Sequence, residues 1–191
     1  MQPATAVVAD LVANIPACDE LEAHHIATTL AWLHSTDDIF RRLKPATPSP
    51  HLVAYTALVD PDTPAVYLGR HRKAGLHLPM GGHVDPGEHP LTTARRETTE
   101  ELGITAELTV TSEQPLFLTV TTTVGQTAGH VDVSLWYVIR GDSTHQYPLD
   151  PTEFDGGHWW PLDTPDLPPT DPHLPRFLRK LHHALGKTPQ S

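Results

Sequence analysis

The stretch LPMGGHVDPGEHPLTTARRETTEELGI, residues 78–104, decides how the rest of the chain is read. It opens on glycines and closes on clustered carboxylates. Gly81, Gly82 and Gly87 permit backbone conformations and close approaches that a side chain would obstruct, which suits a tight loop presenting main-chain groups to a ligand. Pro90 suits the first turn of a helix, where its missing N–H leaves no bond unmade, and Gly103 suits the stop after Leu102. The spacing predicts a helix over residues 90–102.

On that helix Glu97, Glu100 and Glu101 fall at i, i+3 and i+4 and share one face, while Leu91, Ala94, Thr98 and Leu102 occupy a neighbouring arc that can pack on a sheet. Three carboxylates this close repel one another, and more strongly as water is excluded. A divalent cation removes the conflict. Oxygen donors from carboxylates, a carbonyl and water suit magnesium or manganese better than zinc, which favours nitrogen and sulfur, and substrate phosphates would complete the shell.

Gly82, Glu88, Arg96, Glu97, Glu100, Glu101, Gly103 and Ile104 match a known pattern: a glycine, five residues, a glutamate, seven residues, then Arg-Glu-x-x-Glu-Glu-x-Gly-aliphatic. On these residues the chain resembles the Nudix hydrolases. The box spans residues 82–104 with one departure, Thr98 at a position where an aliphatic side chain is usual. The resemblance implies an α/β/α sandwich with a mixed β-sheet, in which the box forms a loop, helix and loop holding magnesium. It implies Glu97 and Glu101 as main metal ligands, Glu100 as a further ligand or base, the Gly81 carbonyl as another donor, and Arg96 paired with Glu88 or nearby carboxylates to orient the helix. It also implies hydrolysis of a diphosphate linkage in a nucleoside diphosphate derivative. The water's proton would pass to Glu100 or to a glutamate outside the box, with Glu153 the first choice. Gly82, His83 and Asp132 are the expected substrate contacts.

Outward from the box, residues 51–60 and 65–69 read as a strand pair joined by the turn at 60–64, and extended runs follow at 105–111, 115–124 and 131–140. The last two flank a loop at 125–129. In the last run Val131, Val133, Leu135, Tyr137 and Ile139 share a core face, leaving His130, Asp132, Ser134 and Trp136 on a face that could line a cleft. A short strand at 158–160 and a closing helix follow, the helix carrying Leu174, Phe177, Leu178, Leu181 and Leu185 with a stop at Gly186. Toward the N-terminus, residues 20–34 place Ile26, Leu30 and Leu33 at helical spacing, and a shorter turn carries Ile39, Phe40 and Leu43. The prolines of 44–50 then break the helix. The expected organisation is an N-terminal helical extension, 1–45, that covers the cleft or mediates a homodimer, and a Nudix-like domain, 46–191.

Composition narrows the function. The 191 residues fit one domain, 38% of them are hydrophobic, and the 20 prolines demand many turns. A formal charge of −10 repels phosphate backbones and disfavours nucleic acid as a partner. Cys18 is the sole cysteine, so neither an intrachain disulfide nor a cysteine-based zinc site is open to it, and a reducing, cytoplasmic setting is expected. The run from Met1 to Cys18 lacks a basic stretch and is interrupted by Asp10 and Asn14, unlike a signal peptide, and no segment has the apolar length of a membrane span.

The remaining signals are weaker. His71, His77, His83 and His89 show no compact ligand spacing, and Arg70, His71, Arg72 and Lys73 make a basic run that suits phosphates or a solvated turn equally. Trp159 and Trp160 suit a core or a stacked base. A nucleoside triphosphate or related nucleotide is the default substrate. The competing readings are a non-catalytic Nudix-like module sensing a nucleotide metabolite, against which the intact glutamates argue, and a prenyl diphosphate isomerase, against which the remote Cys18 argues.

Overall fold

The computed structural model describes residues 1–44, 47–124 and 129–187. Among these residues four helices and seven strands run in the order α1 (Pro3–Ala13), α2 (Glu20–Ser35), β1 (His51–Asp60), β2 (Ala65–His71), β3 (Leu76–Leu78), β4 (Met80–His83), α3 (Pro90–Leu102), β5 (Phe117–Thr122), β6 (Val131–Arg140), β7 (Phe154–Pro161) and α4 (Leu174–Lys187). The strands form one mixed sheet ordered β3-β2-β1-β6-β5, with β4 added on β1 and β7 on β2. β1 and β6 are parallel, from His51 beside Asp132 to Val59 beside Arg140, and the remaining pairs are antiparallel. β1 divides its other edge: Val53–Thr56 pair with β4 and Leu58–Asp60 with β2.

Both faces of the sheet are covered, which explains why the central strands are apolar on both sides. On one face Leu52, Ala54, Val133, Leu135 and Tyr137 pack with Val8 and Val12 of α1, Leu33 of α2 and Ala94 of α3. On the other, Trp136 and Val138 pack with Phe177, Leu178 and Leu181 of α4. The α/β/α sandwich with a mixed sheet is therefore present. Trp136, expected on a face open to a cleft, is instead fully buried, because α4 closes that face.

Other expectations need correction. Residues 105–111 form no strand; the segment runs past the sheet and lends a carbonyl, that of Glu107, to the N–H of Arg140 at 2.7 Å. The glycine pair expected in a loop lies in β4, where Gly81 sits beside Tyr55 and Gly82 beside Ala54. The residues around Ile39 do not form a helix, although Ile39 itself is buried. α4 continues through Gly186. Met1–Cys18 contains a helix, α1, not anticipated because Asp10 interrupts the apolar run; Asp10 lies on the exposed face while Val8, Leu11 and Val12 are buried. Within the expected 125–129 loop, 125–128 lie outside the described residues, as do 45 and 46, where the domain boundary was placed.

The N-terminal helices are held to α4 as well as to the sheet. Asp19 accepts two hydrogen bonds from Arg176, at 2.8 and 2.5 Å, and the fully buried Glu22 pairs with Lys180 at 2.7 Å. Among the described residues no helix is long and apolar enough to cross a membrane.

Candidate active site

α3 is built as its sequence dictates. His89 caps its start by accepting the Leu91 N–H at 3.1 Å, Pro90 occupies the first turn, and Gly103 ends it with φ +68°, a left-handed conformation that glycine tolerates. Ala94, Thr98 and Leu102 face the sheet. Thr98 is fully buried and donates its hydroxyl to the Ala94 carbonyl at 2.7 Å, so the departure from an aliphatic residue leaves no unpaired polar group.

The acidic face of α3 meets β4. Glu101, 4% exposed, accepts the Gly81 N–H on Oε2 at 2.8 Å. Glu97 lies directly on Gly82, where a Cβ would collide with its carboxylate. Gly81 has φ +143°, and a Cβ there would run into the β1 backbone at Ala54 and Tyr55. The two glycines thus allow a helix carboxylate face to sit against a strand with no side chain between them. Glu100, whose side chain is 58% exposed, stands farther out.

Arg96 organises this face. It reaches Glu88 at 3.1 and 3.3 Å, Glu97 at 2.6 Å, Glu100 at 3.4 Å and the His83 carbonyl at 3.4 Å. Burial opposes ionisation of Glu88, but hydrogen bonds from Arg96 and Thr93 outweigh it and hold the carboxyl below its ordinary range. Deeper in, the balance reverses. Burial raises the Glu97 carboxyl despite Arg96, and burial pushes Glu101 up to about 9 against the opposing Gly81 N–H, with Glu97, Glu153 and Glu100 adding repulsion.

Glu153 stands just before β7, its N–H bonded to the Asp150 carbonyl at 3.2 Å and its own carbonyl to the Arg72 N–H at 2.8 Å. Its charge is felt at both Glu97 and Glu101. The same loop lines a cavity of about 800 Å³ whose walls include Arg72, Tyr67, Tyr147, His158 and Trp159. The Tyr67 and Trp159 rings lie 5.3 Å apart and Tyr67 and Tyr147 5.6 Å apart.

A family model for the NUDIX domain matches residues 49–181, more than half of the chain. The chain belongs to the NUDIX domain family. Its enzyme class is that of the Nudix pyrophosphohydrolases. Similar solved structures include a NUDIX-family hydrolase from Clostridium perfringens, at 20% identity over 73% of this chain and 98% of that one, with a TM-score of 0.54. A MutT NUDIX hydrolase from Burkholderia pseudomallei is similar at 24% identity over 68% of this chain and 95% of that one, with a TM-score of 0.51. At such identities the likeness speaks for the fold. No curated protein matches the sequence.

The site residues read from sequence divide into two groups in space. Gly81, Gly82, Glu88, Arg96, Glu97, Glu100 and Glu101 form the α3–β4 face, and the Glu153 charge acts on Glu97 and Glu101 there. His83 and Asp132, expected at the substrate, face each other at 4.0 Å in a cluster with His51 and His130. Sequence reasoning passed over His51, which carries no motif. The available signal was His130-x-Asp132, two residues on one side of a strand.

Proposed function

We propose that the chain hydrolyses a diphosphate linkage in a nucleoside diphosphate derivative, a nucleoside triphosphate or related nucleotide, with magnesium as cofactor and manganese as a substitute. The observation that carries this reading is the burial of Glu97 and Glu101 against bare β4 backbone, where their ionised forms lack sufficient positive partners. The carboxylates offer oxygen donors, which fit a hard divalent cation. Magnesium would be held by Glu97, Glu101 and Glu100 with the Gly81 carbonyl, and when bound it neutralises phosphate oxygens and lowers the pKa of water.

The chain's own groups supply the rest. Arg96 fixes Glu97 and Glu88, and through them the angle of α3 on β4. Gly82 fronts the phosphates without a side chain, and His83 and Asp132 flank that end. Glu153, whose charge acts on Glu97 and Glu101, would accept the proton of the attacking water, with Glu100 the alternative base. The cavity beside Glu153 offers Tyr67, Tyr147 and Trp159 to a base or another flat group, and Arg72 to a phosphate.

The test is to incubate the chain with a panel of nucleotides and magnesium and to identify phosphorus products. Cleavage abolished by Glu101→Gln supports the hydrolase. Tight nucleotide binding without products overturns it in favour of a sensor.

A further inference from the structure

We propose that His51, His83, His130 and Asp132 form a zinc site, distinct from the glutamates of α3, that fastens three strand ends together. His51 opens β1, His83 closes β4, and His130 and Asp132 stand at the start of β6. The sheet register brings His51 beside Asp132 and Val53 beside His83. One ligand atom from each of the four lies within 4.8 Å of all the others. Around Asp132 Oδ1, the Nε2 atoms of His51, His130 and His83 stand at 3.0, 3.4 and 4.0 Å. Donors about 2.0–2.1 Å from a tetrahedral zinc lie about 3.3 Å from one another, so small side-chain movements, chiefly of His83, complete the shell.

The ring protons give a second, independent argument. His51 Nδ1 lies 2.6 Å from the Pro48 carbonyl, which only accepts, so this nitrogen carries the hydrogen. His130 Nδ1 lies 3.0 Å from the Thr123 hydroxyl, which holds the ring in place as donor or acceptor. In the neutral ring the His51 Nε2 lone pair then points into the cluster, toward the Asp132 carboxylate. That arrangement is repulsive unless a cation lies between.

A proton on His51 Nε2 does not resolve the conflict, because the 3.0 Å approach to Asp132 Oδ1 is out of line for a hydrogen bond. His51 Nε2, His83 Nε2 and Asp132 Oδ1 are all buried atoms without a hydrogen-bond partner, and His51 is 0% exposed. The ion pairs of Asp132 are with the three histidines, and Arg41 acts on Asp132 and His83 electrostatically from beyond contact distance.

Three imidazole nitrogens and one carboxylate select zinc over magnesium, and an outer N–H tied to a carbonyl or hydroxyl is how metal-bound imidazoles are oriented. Four protein donors close the tetrahedron, so the ion acts by fixing position. It would hold the last residue of β4, next to the Gly82 backbone on which Glu97 rests, against β1 and β6.

The test uses the full chain, stripped with a chelator and titrated with zinc against a chromogenic competitor in excess magnesium. One zinc per chain is expected, with cobalt giving the visible bands of a four-coordinate centre. Imidazole nitrogen NMR should show zinc moving Nε2 of His51, His83 and His130 while the Nδ1–H signal of His51 persists. His83→Gln and Asp132→Asn should weaken zinc by at least about tenfold, while Glu101→Gln keeps the stoichiometry. Absence of stoichiometric zinc, or zinc lost in Glu101→Gln and kept in His83→Gln, overturns the proposal. If a variant misfolds, the wild-type NMR decides. Failure here leaves hydrolysis at α3 standing, since that activity is read separately from phosphorus products.

Discussion

Two clusters of polar side chains meet at β4, and they are assembled in different ways. The glutamates of α3 are set on one face by helical periodicity and touch the strand through Gly81 and Gly82. The histidines come from β1, β4 and the approach to β6, residues 51, 83 and 130, and are brought together by sheet register alone. Among the described residues it is the histidine set, and not the glutamate trio, whose ligand atoms lie within 4.8 Å of one another. Arg96 lies between Glu97 and Glu100, touching both. The contrast teaches that a spaced, partly exposed oxygen site suits a cation that arrives with phosphate, whereas a closed nitrogen site suits a resident ion.

The largest effect that would break this contrast is on turnover. Glu101→Gln should lower kcat by about a thousandfold, the equivalent of several kcal/mol of lost charge stabilisation, in phosphate-release assays with magnesium. His83→Gln should spare far more of the activity; equal losses would merge the two clusters into one site. Next, Glu153→Gln should lower kcat by about a hundredfold with magnesium affinity unchanged, as expected for loss of the proton acceptor. Full activity would move that role to Glu100.

Smaller effects sharpen the comparison through stability. Zinc at about 100 times its Kd should add about 2.7 kcal/mol, raising the Tm of a chain this size by about 5–10 °C by calorimetry, and His83→Gln should erase the rise. A last effect, read as a direction, is on pH dependence in chelator. The Glu101 carboxyl has an ordinary value of 4.5 and is pushed up to about 9 in the fold, so between these pH values the folded chain keeps a proton that the unfolded chain has released. Stability should therefore fall as pH rises from about 4.5 to 9 in the metal-free protein. Glu101→Gln should flatten that slope in Tm against pH, and magnesium should reduce it.

Much of the architecture was legible because it rests on local rules. Pro90 and Gly103 bracket α3, and the apolar repeat at Leu174, Phe177, Leu178 and Leu181 marks α4. What failed did so where a partner decides the outcome. Residues 105–111 have strand composition but meet the end of β6 through the Glu107 carbonyl without forming a ladder, and Gly81 and Gly82 look like loop residues until β1 is seen to pair with them. Trp136 reads as a cleft residue until α4 covers it.

The sequence by itself determined the Nudix box, the helix that carries it and the alternation of β6, since each depends on residues within a few turns of one another. The meeting of His51, His83 and His130 around Asp132 was decided by tertiary structure alone. Their separations along the chain match no ligand spacing, and only the parallel pairing of β1 with β6 and the antiparallel pairing of β1 with β4 bring the rings to a common point.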